Sequence, residues 1–133
     1  GGSSNIKNWV YGGNNAYIWD VIANTSISAA TSRSSDTVTA PPLFVAIIKY
    51  SLYLDGAALQ YGLLTQLDQT DTTPSVSAYH VRVGGTDTGH NMGNSVVMDM
   101  VTDASRQIGH RETSASAVAS LQTIGWRDDI EIA

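Results

Sequence analysis

The first residues in this chain that could perform chemistry are the triplet Asp87-Thr88-Gly89. Aspartic proteases carry this triplet twice, and the two carboxylates share one proton. In those enzymes the triplet directly follows an apolar strand and is itself followed by a small residue. Here it follows the loop sequence Val83-Gly84-Gly85-Thr86, and the small residue is missing. Because Asp-x-Gly is also a common turn sequence, we interpret the triplet as a turn.

Three histidines, His80, His90 and His110, could bind a metal ion together with Asp87 or Asp99. Imidazole and carboxylate ligands suit zinc or iron. None of the histidines is spaced as a ligand pair such as H-x-H or H-x-x-x-H, so half-exposed strand or loop histidines are the favoured interpretation. We predict neither a metal site nor a cofactor, although a homotrimer with one histidine per chain near its axis would change this balance.

The sequence contains residues for two further kinds of site. A Ser-His-Asp triad needs no sequence proximity, but the nucleophile-elbow pattern Gly-x-Ser-x-Gly is missing. The run Asp68-Gln69-Thr70-Asp71 offers oxygen ligands for weak calcium binding, yet it lacks the loop glycine and the closing Glu of an EF-hand. We therefore predict no catalytic residue and no enzyme activity. A small hydrolase using His90 and Asp87 is the enzymatic alternative.

Tyrosine and tryptophan are the better functional lead, with six Tyr and three Trp against a single Phe. Both side chains combine an apolar face with a polar tip, which suits sugar stacking and protein interfaces. Trp9 and Tyr11 lie just before the turn sequence Gly12-Gly13-Asn14-Asn15, where we expect exposure. With the loops 68–73 and 86–94 they form the predicted ligand-binding surface. Its candidate residues are Trp9, Tyr11, Asn14, Asn15, Asp68, Asp71, Asp87, His90 and Asn91.

The composition limits the classes of function that these residues can have. With 133 residues, 42% of them hydrophobic and 14% charged, the chain has the size and balance of one folded domain. A net charge of −5 with only seven Lys and Arg argues against nucleic-acid binding and against an anionic membrane surface. The absence of cysteine removes disulfides and thiol chemistry. We interpret Gly1–Ser4 as a linker or tag remnant and 5–133 as a single domain without a membrane-spanning run.

Apolar residues recur with a period close to two, which is the period of β-strands. The strongest segment is Leu43–Leu54, whose even positions are all apolar or aromatic. Asp55-Gly56 is a hairpin turn signal, so we predict a β-hairpin over Leu43–Leu67. Strands are also predicted at Tyr17–Ile22 and Val76–Val83, and a loop or weak edge hairpin at 25–39.

The C-terminal third predicts three more strands: Val96–Val101, Ser105–Thr113 and Ala115–Gly125. Their spacing indicates a closing antiparallel meander, which precedes the apolar–acidic alternation Ile130-Glu131-Ile132. A helix over Ser114–Gln122 is the competing interpretation, but the segment is short and precedes Gly125. About eight short strands without a convincing helix predict an all-β fold, an antiparallel β-sandwich or jelly roll.

The run Asp103-Ala104-Ser105-Arg106-Gln107-Ile108-Gly109-His110-Arg111, followed by Leu121-Gln122-Thr123-Ile124-Gly125-Trp126-Arg127-Asp128, resembles the end of many bacteriophage tail-fibre, tailspike and related virion-protein domains. Val38-Thr39-Ala40-Pro41-Pro42 before a long apolar strand is similar to the start of the sandwich in those domains. The resemblance covers about two thirds of the chain. It implies a trimeric β-sandwich near the tip of a fibre, which binds a glycan or protein on the host surface. It supplies no shared catalytic set.

Three hypotheses follow, and each predicts a different arrangement. A homotrimeric receptor- or glycan-binding domain of an extracellular virion fibre predicts an exposed Trp or Tyr beside a loop cleft. A structural module for trimerisation, capping or capsid decoration predicts that all three tryptophans are buried at interfaces. A hydrolase, or the carbohydrate-binding accessory module of one, is the third. A hydrolase predicts a histidine and a carboxylate within hydrogen-bonding distance in a pocket.

Overall fold

The computed structural model describes residues 9–55, 59–84 and 91–128, with only the backbone of Asp55, Asn91 and Met92. This part of the chain is all β, without a helix that could cross a bilayer. The predicted all-β sandwich is confirmed, with nine strands in the described ranges instead of about eight. The strands are β1 (Trp9–Gly13), β2 (Ala16–Thr25), β3 (Ser34–Thr37), β4 (Val45–Asp55), β5 (Gln60–Thr65), β6 (Val81–Val83), β7 (Asn91–Val101), β8 (Gln107–Glu112) and β9 (Val118–Arg127). Gly1–Ser4 and Ile130-Glu131-Ile132 lie outside the described residues.

The strand pairing is nested, as in one long hairpin that has been rolled up. β2 pairs with β9, β3 with β8, β4 with β7 and β5 with β6, all antiparallel. Rolling this hairpin produces a five-stranded sheet of order β1-β2-β9-β4-β7 and a four-stranded sheet of order β3-β8-β5-β6. This order is that of a jelly roll, with β1 added at one edge.

Two predictions about strand connections are wrong. The predicted hairpin over Leu43–Leu67 does not form, because β4 lies in the five-stranded sheet and β5 in the four-stranded sheet. The C-terminal strands β7, β8 and β9 alternate between the two sheets in the same way and are not a meander. The reason is that the apolar face of a strand is buried equally well whether the next strand in the chain pairs with it in the same sheet or lies across the core in the other sheet.

The extents of some strands also differ from the prediction. Val76–Val83 contains only the three-residue β6, preceded by an isolated bridge between Ser75 and Ala78. Strand β9 starts at Val118, so the strand interpretation of this region is confirmed over the helix. The weak edge hairpin predicted over 25–39 contributes one short edge strand, β3.

The core lies where the alternation of β4 predicted it. Ala46, Ile48, Tyr50, Leu52 and Leu54 all point inward and are buried. Complete burial of an aliphatic side chain such as Ile48 or Leu52 stabilises a fold by roughly 1.5–3 kcal/mol. The inward residues of β4 therefore supply much of the force that holds the two sheets together.

A close approach between β2 and β9 depends on glycine. Gly125 is the register partner of Ile18, and the β2–β9 pairing shifts its register between Ile18 and Ala23. A Cβ atom on Gly125 would overlap the carbonyl oxygen of Tyr17 and lie 2.9 Å from the Cα of Ile18. The absence of a side chain lets the strands approach closely enough to set Trp126, the next residue, opposite Tyr17.

Candidate functional site

A tight turn places the predicted aromatic residues. Asn14 and Asn15 connect β1 to β2 with φ angles of 51° and 60°. A two-residue type I′ hairpin turn needs positive φ at both positions, and asparagine tolerates this conformation better than most residues. The turn sets Tyr11 opposite Tyr17 and Trp9 opposite Trp19. β1, which the sequence analysis did not predict as a strand, thereby becomes an edge that carries aromatic side chains.

Five aromatic rings form a continuous cluster, which we call the aromatic shelf: Trp9, Tyr11, Tyr17, Trp19 and Trp126. Tyr17 and Trp126 are stacked, with ring centroids 5.4 Å apart. Trp9 meets Tyr17 edge-on at 5.0 Å, and Tyr11 meets it at 5.5 Å. Trp19 contacts Trp126 at 4.8 Å. Such aromatic pairs contribute about 0.5–1.5 kcal/mol each beyond the area they bury, so the shelf is a rigid surface.

Exposure rises along the shelf from the core to the sheet edge. Trp126 is 8% exposed, Tyr17 and Trp19 are half-buried, and Trp9 and Tyr11 are 50% and 59% exposed. β1 forms the outer edge of its sheet, so its inward-facing rings extend the core face into solvent. Two rings are therefore open to a ligand while the rings beneath them fix their orientation.

Polar groups border the exposed rings. The backbone N–H of Asn15 donates to the hydroxyl of Tyr11 at 3.2 Å, which holds the tyrosine against the turn. The indole N–H of Trp19 donates to the carbonyl of Thr39 at 2.8 Å. Neither side-chain amide of Asn14 and Asn15 hydrogen-bonds to another described residue, and both residues are exposed. The rim can thus offer both hydrogen-bond donors and acceptors to a ligand.

The remaining candidate residues do not join the shelf. Asp68 is exposed, and Asp71 pairs with Arg111 at 3.2 Å. Asn91 opens β7 at the opposite edge of the five-stranded sheet from β1. Asp87 and His90 lie outside the described residues. The structure therefore brings together Trp9, Tyr11, Asn14 and Asn15, and it separates them from the other described members of the predicted surface.

A second group of side chains, which sequence reasoning missed, lies in the core. The prediction that His110 is a half-exposed strand histidine is wrong, because the residue is only 1% exposed. Its ring is held between Asp36, 2.9 Å from Nε2, and Glu112, 2.9 Å from Nδ1. The signal was present in β8, where Ile108, His110 and Glu112 alternate onto one face. Two ionisable residues in phase with a core isoleucine indicate a buried polar network.

Tyr50 reaches this network from the other sheet. Its hydroxyl donates to Oε2 of Glu112 at 2.5 Å, and the backbone N–H of Ala30 donates to Oε1 at 2.8 Å. Gly62 lies opposite Glu112 in the ladder, and a Cβ atom there would overlap the Tyr50 hydroxyl. Burial and the neighbouring Glu112 carboxylate raise the pKa of Tyr50, so the phenol stays protonated and acts as a donor.

The two carboxylates keep His110 charged. Burial alone would lower its pKa, but the close contacts of the ring with the Asp36 and Glu112 carboxylates, and the negative charges of those carboxylates, outweigh burial and raise the pKa to about 9. Oδ2 of Asp36 faces the imidazolium at short range without receiving a well-directed hydrogen bond. Because Tyr50, His110 and Glu112 are at most 1% exposed, a substrate cannot reach them. The arrangement stabilises the fold across the two sheets and is not an open acid–base site.

The histidines do not converge on a metal site in the described ranges. His110 is enclosed by its carboxylates, and His80 lies in the connection before β6, where its Nδ1 accepts the backbone N–H of Leu64 at 3.1 Å. In these ranges no group of three or more His, Asp or Glu side chains is arranged to hold a metal ion. The shelf is thus the part of the predicted site whose geometry is suited to a ligand.

No protein-family model matches this chain, and no curated protein matches its sequence. The functional interpretation therefore depends on the geometry of the aromatic shelf and on the chemistry of its rim.

Proposed function

We propose that this chain is a non-enzymatic receptor-binding domain of a phage-type tail fibre, which binds a glycan on the host cell surface as a homotrimer. The observation that carries the proposal is the pair of half-exposed rings, Trp9 and Tyr11, on a rigid shelf beside two exposed asparagines. The resemblance of Asp103–Arg111 and Leu121–Asp128 to virion fibre domains supplies the setting, which is extracellular on the virion.

The chemistry of the shelf suits a sugar ring. The C–H face of a pyranose is apolar and packs on an aromatic face, while its hydroxyl groups need donors and acceptors at the edge. Here Trp9 and Tyr11 offer the faces, and Asn14 and Asn15 offer both kinds of polar group. Because Tyr17 and Trp126 already hold the exposed rings, binding costs little side-chain ordering.

A trimer would make a weak shelf useful. One exposed aromatic contact contributes about 1 kcal/mol, which alone supports only weak binding. Three shelves on one fibre tip that engage the same cell surface raise the effective affinity by avidity, without any new contact. The proposal therefore joins a modest site in each chain to assembly of three chains.

The test compares Trp9→Ala with Val10→Ala. Val10 is similarly exposed, at 54%, but as the next residue in β1 it points to the other face of the sheet. On a glycan array, we expect Trp9→Ala to weaken binding roughly fivefold to tenfold per site, the equivalent of about 1 kcal/mol. Val10→Ala should bind like the parent. Equal binding by both variants, with melting temperatures unchanged, would reject the shelf as the site.

A structural trimerisation module is the second candidate, favoured by the outer face of the five-stranded sheet. Tyr53 and Val118 are register partners there and are 41% and 59% exposed, and Val97, further along the sheet in β7, is 55% exposed. If this face is the subunit interface, Val118→Lys should reduce the mass measured by light scattering from trimer to monomer. Val21→Lys, at an exposed position outside this patch, is the control. A parent protein that is monomeric would contradict both the trimeric fibre proposal and this module.

A further inference from the structure

A cleft opens between the two sheets on the side away from the aromatic shelf. It has a volume of about 570 Å³ and lies between β5, the following connection 66–80, and the edge strand β7. The cause is the shortness of β6, which pairs with β5 only as far as Gly62. Beyond that point no strand in the described ranges pairs with β5 on this side, and the connection bends around the gap.

Side chains replace the missing strand on both walls of the cleft. On β5, the backbone N–H of Leu64 donates to Nδ1 of His80 at 3.1 Å. On β7, the backbone N–H of Val101 donates to Oε1 of Gln66 at 3.1 Å. The backbone N–H of Thr102, the next residue, points the other way and donates to the carbonyl of Phe44, which precedes the neighbouring strand β4. Because these directions alternate along a strand, Asp99 also presents its backbone N–H and C=O towards the cleft.

The lining combines apolar and neutral polar groups. Met98, Met100 and Ala78 provide apolar surface, and Gln69, Thr70, Thr72 and His80 provide amide, hydroxyl and imidazole groups. No Lys or Arg is among the described residues that line it, and the carboxylate of Asp99 is engaged with Arg127 at 3.1 Å. His80 is exposed as a residue, but the partial burial of its ring lowers its pKa, so the ring is neutral near pH 7. The guanidinium of Arg33 lies next to two lining residues, but it already donates to the hydroxyl of Thr65 at 3.3 Å and to the carbonyl of Gln69 at 2.7 Å, so an anionic ligand would have to compete for it.

The hydrogen bond from Leu64 also fixes the tautomer of His80. Since Nδ1 accepts that bond, the single proton of the neutral ring is on Nε2, which then points a donor to a ligand. Hydroxyl groups, like those of Thr70 and Thr72, both donate and accept. A ligand with adjacent hydroxyls and an apolar C–H face matches this set of groups better than an ion or a hydrocarbon does.

We propose that the cleft is a second binding site, specific for an uncharged sugar residue or a similar polyol. Its volume falls within the range of about 300–1,000 Å³ that is usual for small-molecule sites and accommodates one or two sugar rings. In this site Nε2 of His80 donates to one ligand hydroxyl, and the backbone of Asp99 and the threonine hydroxyls bind others. Met98 and Ala78 contact the C–H face. The ligand class rests on the proposed glycan function, but the site shares no residue with the aromatic shelf.

The test is a two-dimensional ¹H–¹⁵N NMR titration of the full chain with galactose, glucose and N-acetylglucosamine, each at tens of millimolar. We expect at least one of these neutral sugars to shift the amide signals of 63–66, 69–72 and 98–100. The dissociation constant should be on the order of 1 mM, as is usual for so few ligand atoms. Sialic acid, which is anionic, should bind at least about tenfold more weakly, because the described lining residues include no Lys or Arg and the guanidinium of neighbouring Arg33 is already engaged.

Thr72→Trp and Thr73→Trp form a matched pair of variants. Both residues are exposed in the same loop, but only Thr72 lines the cleft. Thr72→Trp should abolish the sugar-induced shifts, whereas Thr73→Trp should retain them, with both variants melting like the parent. The proposal is overturned if none of the neutral sugars shifts these signals, or if the shifts survive in Thr72→Trp.

Trp9→Ala separates this proposal from the proposed function. Loss of glycan-array binding in Trp9→Ala with the cleft shifts unchanged would support both sites. Array binding that is insensitive to Trp9→Ala but lost in Thr72→Trp would reject the shelf and retain the cleft. Array binding that depends on Trp9 in a protein without cleft shifts would reject the cleft alone.

Discussion

The buried cluster around His110 predicts that stability falls as the pH rises from about 6 to about 9. The folded-state pKa of His110 is raised from 6.5 to about 9 by its two carboxylate partners. A raised pKa of a base means that the protonated form stabilises the fold. This contribution is complete below the unfolded-state pKa of 6.5 and is lost as the pH rises through 9.

The magnitude follows from the size of the shift. One pKa unit corresponds to about 1.4 kcal/mol, so His110 contributes at most about 3 kcal/mol near pH 6. Screening by solvent changes this little, because the side chain is only 2% exposed. For a domain of this size, the loss corresponds to a fall in melting temperature of roughly 10 °C.

The assay is urea unfolding at fixed pH values between 6 and 9, followed by tryptophan fluorescence. The free energy of unfolding of the parent should fall by about 3 kcal/mol over this range. His110→Gln should be less stable at pH 6 and nearly independent of pH, since glutamine carries no proton to lose. His80→Gln is the control and should keep the slope, because a lowered pKa affects stability only towards acidic pH.

Direct titration covers the case in which His110→Gln does not fold. An NMR titration of the parent should place the pKa of His110 near 9. A value at or below 6.5, or a flat stability profile between pH 6 and 9, would refute the assignment of a buried imidazolium.

Two further predictions concern packing and hydrogen bonding. Tyr50→Phe leaves Glu112 without its phenol donor and should cost about 1–3 kcal/mol in urea unfolding; a loss below 0.5 kcal/mol would mean that water or another group replaces the hydroxyl. Gly125→Ala should cost about 3 kcal/mol, the upper end of overpacking penalties, because its Cβ would meet the backbone of β2. Gly13→Ala is the comparison for steric crowding, since a Cβ there meets nothing within 4 Å and only its φ of 80° opposes the change. Equal losses in the two glycine variants would contradict the steric argument.

The alternation of polar and apolar residues was sufficient for most of the longer strands and for much of the core. β4 shows this best, because its even positions are buried as the sequence predicts. The turn at Asn14-Asn15 and the exposure of Trp9 and Tyr11 were also predictable, since local turn chemistry places them. These features depend on residues that are close together in the chain.

Only the tertiary structure decided which strands share a sheet and which groups meet. β2 pairs with β9, so that Asn24 lies beside Gln122, and the network of Asp36, Tyr50 and Glu112 joins three separate strands. A period of two is the same for a strand beside its neighbour and for one across the core, so it cannot specify such pairings. The rolled hairpin selects these pairings because it buries the apolar faces of the two sheets against each other. The short β6 leaves the cleft, and the extra edge strand β1 leaves the aromatic shelf in solvent.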